Sequence, residues 1–212
     1  IKIVNTKNNW QIKNFLIQKF YQAPPLSLYI HLPWCLKKCP YCDFNSHVTE
    51  TLDHVQWREA LISELEYYAA QLPKRNVASI FFGGGTPSLM APATTAALIE
   101  TVGKHWTTDK NLEITLEANP TSVESAKFKE FRAAGVNCVS IGVQAFDEDA
   151  LQFLGRRHNS SEAIEAVTIA VEIFERVSLD LIYARPGQTM HAWQRELDRA
   201  LDMATSHLSL YQ

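Results

Sequence analysis

Three of the four cysteines fall within eight residues, Cys35-x-x-x-Cys39-x-x-Cys42, while Cys138 stands alone. Three thiolates from one short loop supply three corners of an iron–sulfur cubane; a four-iron cluster takes four ligands, so one iron would keep an open position. Pro33 and Pro40 stiffen the loop that must wrap such a group. Zinc is the alternative, with His31 or His47 as a fourth, tetrahedral ligand, although zinc motifs usually bring their ligands in two separated pairs. Further along, Gly83-Gly84-Gly85-Thr86 permits a tight turn or a close approach of backbone to a ligand. No Lys-Ser or Lys-Thr follows it, so it is not a phosphate loop. Glu117 shares its strand parity with Glu113 and Thr115, and Asp180 shares that of Ser178 within an otherwise apolar run. A carboxylate placed like Asp180 needs a hydrogen-bond or ionic partner, for which Arg156 is the candidate.

These residues need elements to carry them, and the pattern from residue 26 onward is strand and helix in alternation. Strands are expected at 27–32, 77–82, 112–117, 137–144, 177–183 and 207–211. Helices are expected at 51–72, 91–105, 122–134, 147–153, 161–174 and 190–203, with Asp53 near the start of the first and Gly135 closing the third. Strict alternation argues for a parallel sheet, because parallel neighbours need crossovers of helical length. Five of the strands run directly into chemistry-bearing residues: the cysteine loop, the glycine triplet, Glu117, Gln144, and Arg185 with Pro186-Gly187. An open doubly wound sheet gathers its site at one switch point, whereas a barrel draws on every strand end. The fold class expected is therefore α/β, a partial (β/α)6 barrel of the TIM type.

Composition closes off other classes. With 20 basic against 23 acidic side chains the formal net charge is -3, which offers no basic footprint for nucleic acid. No apolar run reaches the ~18 residues of a membrane span, so an integral membrane protein is not expected. Four cysteines without a secretory signal suit a reducing, cytoplasmic compartment. Residues 1–25 carry Lys2, Lys7, Lys13 and Lys19 and no carboxylate. They read as a loosely held tail, and an organellar presequence or a peripheral membrane contact also fits their alternation of apolar and basic residues. The domain expected is 26–212, read as a fragment without its C-terminal region.

The motifs taken together resemble the radical S-adenosylmethionine (radical SAM) superfamily. They are Tyr29-Ile30-His31-Leu32-Pro33-Trp34-Cys35, Cys39-Pro40-Tyr41-Cys42-Asp43-Phe44-Asn45-Ser46-His47, Phe82-Gly83-Gly84-Gly85-Thr86-Pro87-Ser88, Glu117-Ala118-Asn119-Pro120, Gly142-Val143-Gln144, Leu154-Gly155-Arg156-Arg157-His158 and Asp180-Leu181-Ile182-Tyr183. The branch they resemble holds the oxygen-independent coproporphyrinogen III oxidases and the HemW-type haem chaperones. The chain is more similar to the latter, because the oxidases usually carry a further Cys where Phe44 stands. The resemblance implies a [4Fe-4S] cluster on Cys35, Cys39 and Cys42. It implies S-adenosylmethionine contacts at Tyr29, Tyr41, Gly84, Gly85, Thr86, Glu117, Gln144, Arg156 and Asp180, with Arg156 a possible clamp for the cofactor's carboxylate. His31, beside the cluster, is a candidate proton donor. The partners implied are haem and the haem-requiring membrane enzymes that would accept it; porphyrinogen oxidation is the rival activity, and a zinc-bearing interaction module the third.

Overall fold

The computed structural model describes residues 2–4, 24–203 and 205–212. Among the described residues nine strands and seven α-helices follow one another: β1 Lys2–Val4, β2 Leu26–Leu32, β3 Trp34–Cys35, β4 His47–Val48, α1 His54–Gln71, β5 Asn76–Gly84, α2 Pro92–His105, β6 Thr107–Ala118, α3 Ser122–Ser125, α4 Phe128–Ala133, β7 Cys138–Gln144, α5 Glu148–Phe153, α6 Ser160–Ile173, β8 Arg176–Ile182, α7 Met190–Leu201 and β9 His207–Tyr211, with one 3-10 turn at Pro87–Leu89. The main sheet has the order β1-β2-β5-β6-β7-β8-β9, with every pair parallel except β1 on β2. β3 and β4 pair apart from this sheet, and within it each strand from β2 to β9 lies beside the sheet's next strand in sequence. A doubly wound sheet would reverse direction at a switch point; this one never does, which is the winding of a barrel. The six parallel strands form the expected (β/α)6 partial barrel.

The strands alternate where parallel strands are usually apolar on both faces. Leu26, Leu28, Ile30 and Leu32 of β2, Ile80 and Phe82 of β5, Leu116 of β6, Val139, Ile141 and Val143 of β7, and Leu179 and Leu181 of β8 are all buried. They form one core with helix residues such as Leu61, Leu65, Leu98, Phe128, Phe131 and Val167. The opposite, inner face carries a Ser or Thr on each of the six strands: Ser27, Ser79, Thr115, Ser140, Ser178 and Ser209. Hydroxyls meet across it at 2.9 Å (Ser79 to Ser27) and 3.3 Å (Ser178 to Ser209). A closed barrel packs branched apolar side chains there; small hydroxyls leave the centre free.

Element ends follow local chemistry. Asp53 caps α1 by accepting from Val55 and Gln56 N–H, and Asn159 with Glu162 forms a reciprocal capping box on α6. Gly135, at φ +108°, ends α4 in a conformation that glycine adopts without strain. Three differences from expectation stand out. The helix expected across 122–134 is two, α3 and α4, divided by a tight Lys127 N–H to Glu124 carbonyl step. Strand β6 starts earlier, at Thr107, because Thr107 and Thr108 pair with Asn76 and Val77 before residues 109–112 loop out of register. Of the predicted tail, Lys2–Val4 adds an antiparallel edge strand to β2, while residues 1 and 5–23 lie outside the described residues. Among the described residues no helix is long and apolar enough to cross a membrane.

Phe131 is fully buried where α4 meets the sheet. Phe131→Ala is expected to remove about 3–5 kcal/mol of stability, read as a lower urea midpoint in far-UV circular dichroism.

Candidate functional site

The cysteine loop is pinned at both ends. Trp34 and Cys35 pair in parallel with His47 and Val48, His47 N–H donates to Pro33 O at 2.6 Å, and Thr49 N–H donates to Cys35 O at 3.0 Å. Within the loop Lys38 Nζ donates to Phe44 O at 2.6 Å and to Ser46 Oγ at 2.7 Å. From β2, His31 Nε2 reaches Asn45 O at 2.8 Å. A carbonyl only accepts, so Nε2 carries the proton and Nδ1 accepts from Tyr29 Oη at 3.3 Å. Both ring nitrogens are thus occupied, and His31 holds the loop in place. That removes it as the fourth ligand of a zinc site. As an acid it would first have to leave Asn45.

Cys35, Cys39 and Cys42 are free, half-buried thiols. Among the described residues no three His, Cys, Asp or Glu side chains converge on a point where a single ion would sit. Two of the sulfurs have side-chain donors beside them. Thr86 Oγ1 lies 3.6 Å from Cys35 Sγ, and Arg156 Nη1 lies 3.7 Å from Cys39 Sγ.

The glycine triplet lies against this loop. Gly85 N–H donates to Leu32 O at 2.6 Å and Thr86 N–H to Trp34 O at 2.8 Å. A Cβ on Gly84 would stand 2.7 Å from the His31 ring, and one on Gly85 2.6 Å from Trp34 O. The close approach that demands glycine is therefore to this chain's own backbone and to His31. Gly84, at φ +119°, also turns its N–H onto Glu117 Oε2 at 3.1 Å.

Glu117 and Asp180 share the inner face. Burial raises Glu117 to about 7, opposed by the Gly84 N–H and assisted by the Asp180 charge. Burial also pushes Asp180 up, while the Ser140 hydroxyl, 3.0 Å away, holds it down. The expected Arg156–Asp180 ion pair is not formed. Arg156 instead spends its Nη atoms on Asn119 Oδ1 (2.7 Å), Gly142 O (2.8 Å) and Tyr41 Oη (3.2 Å), leaving a buried Nε without a partner. Tyr41, with its hydroxyl turned onto Arg156, is pushed up to about 12, chiefly by burial. Gln144 ends β7 at φ +69°, a left-handed position that is strained for a non-glycine residue.

The sequence reading missed Asn119, Glu124 and His158. Glu124 is buried and accepts from Asn119 N–H at 2.8 Å, from Asn119 Nδ2 at 3.3 Å and from Ser88 Oγ. The available signal was Thr121-x-x-Glu124 directly after a strand end, an N-terminal capping pattern. His158 is buried with Nε2 donating to Val143 O at 3.1 Å, and burial lowers it to about 4, so it is neutral. A cleft of about 640 Å³ is walled by Phe146, Phe153, Arg195 and the buried Arg185–Glu196 ion pair. Of the chemistry-bearing strand ends, Arg185 with Pro186 and Gly187 lines it, and none of the residues expected to hold the cluster or S-adenosylmethionine does.

A family profile of the Radical SAM superfamily matches residues 29–200. The chain belongs to the radical SAM superfamily. Membership implies a [4Fe-4S] cluster and S-adenosylmethionine. The haem chaperone HemW of Haemophilus influenzae is 43% identical over 197 residues, covering 90% of this chain and 51% of that protein. The mitochondrial radical S-adenosyl methionine domain-containing protein 1 of Danio rerio is 43% identical, covering 90% and 43%. Among solved structures, the radical SAM enzyme coproporphyrinogen III oxidase (HemN) of Escherichia coli matches with a TM-score of 0.79 at 31% identity, over 88% of this chain and 44% of that one. The chain thus spans about half the length of the curated relatives it matches. Its radical SAM barrel places the cysteine loop, Gly84 to Thr86, Glu117 and Gln144 at the C-terminal ends of successive strands; Arg156 reaches them from the turn between α5 and α6, and Asp180 lies within β8 on the inner face.

The raised Glu117 has a consequence for stability. Below pH 4.5, the ordinary glutamate value, the carboxyl is neutral in both states. As pH rises from 4.5 to about 7 the unfolded chain ionises first, so folded stability falls. The total is about 3 kcal/mol and levels off above the folded value. Glu117→Gln is expected to flatten this part of the curve, seen as a smaller drop in urea midpoint between pH 4.5 and about 8. An unchanged slope in the variant refutes the assignment.

Proposed function

We propose that this chain is the cluster-bearing barrel of a haem chaperone, a protein that binds haem and passes it to haem-requiring membrane enzymes. The observation that carries the reading is the 43% identity to a HemW haem chaperone across 90% of this chain, against 31% to the porphyrinogen oxidase. Phe44 adds to it, since it stands where the porphyrinogen oxidases that the motifs resemble usually carry a further Cys. Phe44 is 58% exposed on the loop, and its carbonyl is used by Lys38.

In this reading Cys35, Cys39 and Cys42 hold the [4Fe-4S] cluster. When bound, the cluster and S-adenosylmethionine supply one-electron chemistry at a carbon–sulfur bond. The protein's own part is to hold and orient. Tyr29 and Tyr41 flank the loop. Thr86 and Arg156 donate toward sulfur, and Glu117 and Asp180 offer carboxylates to ribose hydroxyls or an ammonium. Gln144, held in its strained conformation, presents its amide at the barrel mouth, and Gly84 and Gly85 keep that mouth tight. The chain is placed in the cytoplasm, or in an organelle where 1–25 act as a presequence.

Two experiments on the full-length protein test this. Cys39→Ser is expected to lose the iron bound on anaerobic reconstitution while keeping its far-UV circular dichroism; full iron retention would sink the ligand assignment. The reconstituted protein, given dithionite, S-adenosylmethionine and coproporphyrinogen III, is expected to leave the porphyrinogen unconverted beside a working control oxidase. It is expected to retain hemin through gel filtration. Protoporphyrinogen appearing with 5′-deoxyadenosine would make it an oxidase instead.

A further inference from the structure

We propose that Asn119 is a positioning residue that aims one hydrogen bond at each of two cluster-ligand sulfurs, through Thr86 at Cys35 and through Arg156 at Cys39, and so sets the cluster's reduction potential. The inference rests on the cluster reading of the three cysteines.

The amide's orientation is fixed by charge. Asn119 Nδ2 faces Glu124 Oε1 at 3.3 Å, and Asn119 Oδ1 receives Arg156 Nη2 at 2.7 Å. Flipping it would set its NH2 against a guanidinium and its oxygen against a carboxylate. Glu124 is itself committed, buried and accepting from Asn119 N–H at 2.8 Å and from Ser88. The same Nδ2 donates to Thr86 Oγ1 at 3.3 Å. Thr86 therefore accepts from Asn119, and its own proton is free to turn toward Cys35 Sγ at 3.6 Å. On the other arm, Asn119 Oδ1 and Gly142 O (2.8 Å) clamp Nη2 and direct Nη1 at Tyr41 Oη (3.2 Å) and Cys39 Sγ (3.7 Å).

The relay is unequal across the ligands. Among the described residues, Cys35 and Cys39 each receive a side-chain donor, whereas Cys42 makes only its backbone turn to Cys39 O at 3.1 Å. Hydrogen bonds to cluster sulfurs are one of the levers that set reduction potential. Reduction adds negative charge to the sulfurs, so donors aimed at them stabilise the reduced state and raise the potential. Glu124 anchors the relay through its contacts with Asn119 and Ser88.

The test uses the full-length protein, reconstituted anaerobically, with iron content and visible absorption measured before each titration. Midpoint potentials come from dithionite titration followed by electron paramagnetic resonance. Thr86→Val is expected to shift the potential to a more negative value, and Thr86→Ser to restore it. Asn119→Ala, which loses both arms, should shift it further than Thr86→Val. Equal potentials in wild type, Thr86→Val and Asn119→Ala at full iron loading overturn the proposal. Should Asn119→Ala fail to load, the Thr86 pair decides alone, and equal potentials there overturn it as well. A wild-type protein that takes up no iron would instead sink the cluster reading itself.

Discussion

The contact on which the rest of the site depends is the seam between the end of β5 and the chain leaving β2. Gly85 N–H reaches Leu32 O at 2.6 Å, and Thr86 N–H reaches Trp34 O at 2.8 Å. These bonds continue the parallel pairing past the last ladder residues, Leu32 and Gly84, and carry it directly to Cys35. No side chain fits in the seam, because a Cβ on Gly84 or Gly85 would overlap His31 or the Trp34 backbone. Through it the first thiol is placed beside Thr86, and the β3–β4 pairing then brings residues 47–48 back to close the loop. A flexible loop of 11 residues is in this way tied to the rigid end of a sheet, which is how a loop keeps its ligands near a fixed geometry.

The second constraint is the polar interior. The inward strand positions include a hydroxyl on each of the six strands, the polar-tipped Tyr29 and His31 and the carboxylates Glu117 and Asp180, with Phe81 stacked on Tyr29, where a closed barrel would pack branched apolar side chains throughout. Burial is the first cause of the upward direction in both: the Asp180 charge adds to it at Glu117, and the Ser140 hydroxyl opposes it at Asp180. Such a face is unfavourable as a packed core and favourable as a wall for a ligand that brings its own hydroxyls and cationic groups. The helix-facing side shows the opposite economy: it is apolar throughout, and it supplies the burial that lets the inner face stay polar.

Much of this was legible in the sequence. The period of two in Leu26 to Leu32, with the helical periods between strands, gave the α/β alternation, and the residues after each strand identified the functional end. The cysteine spacing marked the loop. Side-chain partnerships were not legible. Arg156 and Asp180 looked like natural partners by charge, yet Arg156 donates to Asn119 Oδ1 and Gly142 O, which the ends of β6 and β7 offer to it. The glycines were read as a tight turn or a close approach to a ligand, and the three-dimensional register adds a close approach to His31 and the Trp34 backbone. Glu124 was not singled out and is buried, where it accepts from Asn119 N–H.

Residue identity at one loop position bears on function in a way the barrel cannot. Barrels of one architecture host different activities, so the site must be argued from its own side chains. The cysteine loop exposes Leu36, Tyr41 and Phe44 together. A thiol at position 44 would add a fourth soft donor close to the three ligands, whereas the phenyl ring adds none and presents apolar surface to solvent. The same backbone, braced by Lys38 through the Phe44 carbonyl, serves either side chain, because that bond uses only main-chain oxygen. The brace at position 44 uses main-chain oxygen alone, so the side chain there is not fixed by it, and in this chain that side chain is an apolar ring presented to solvent.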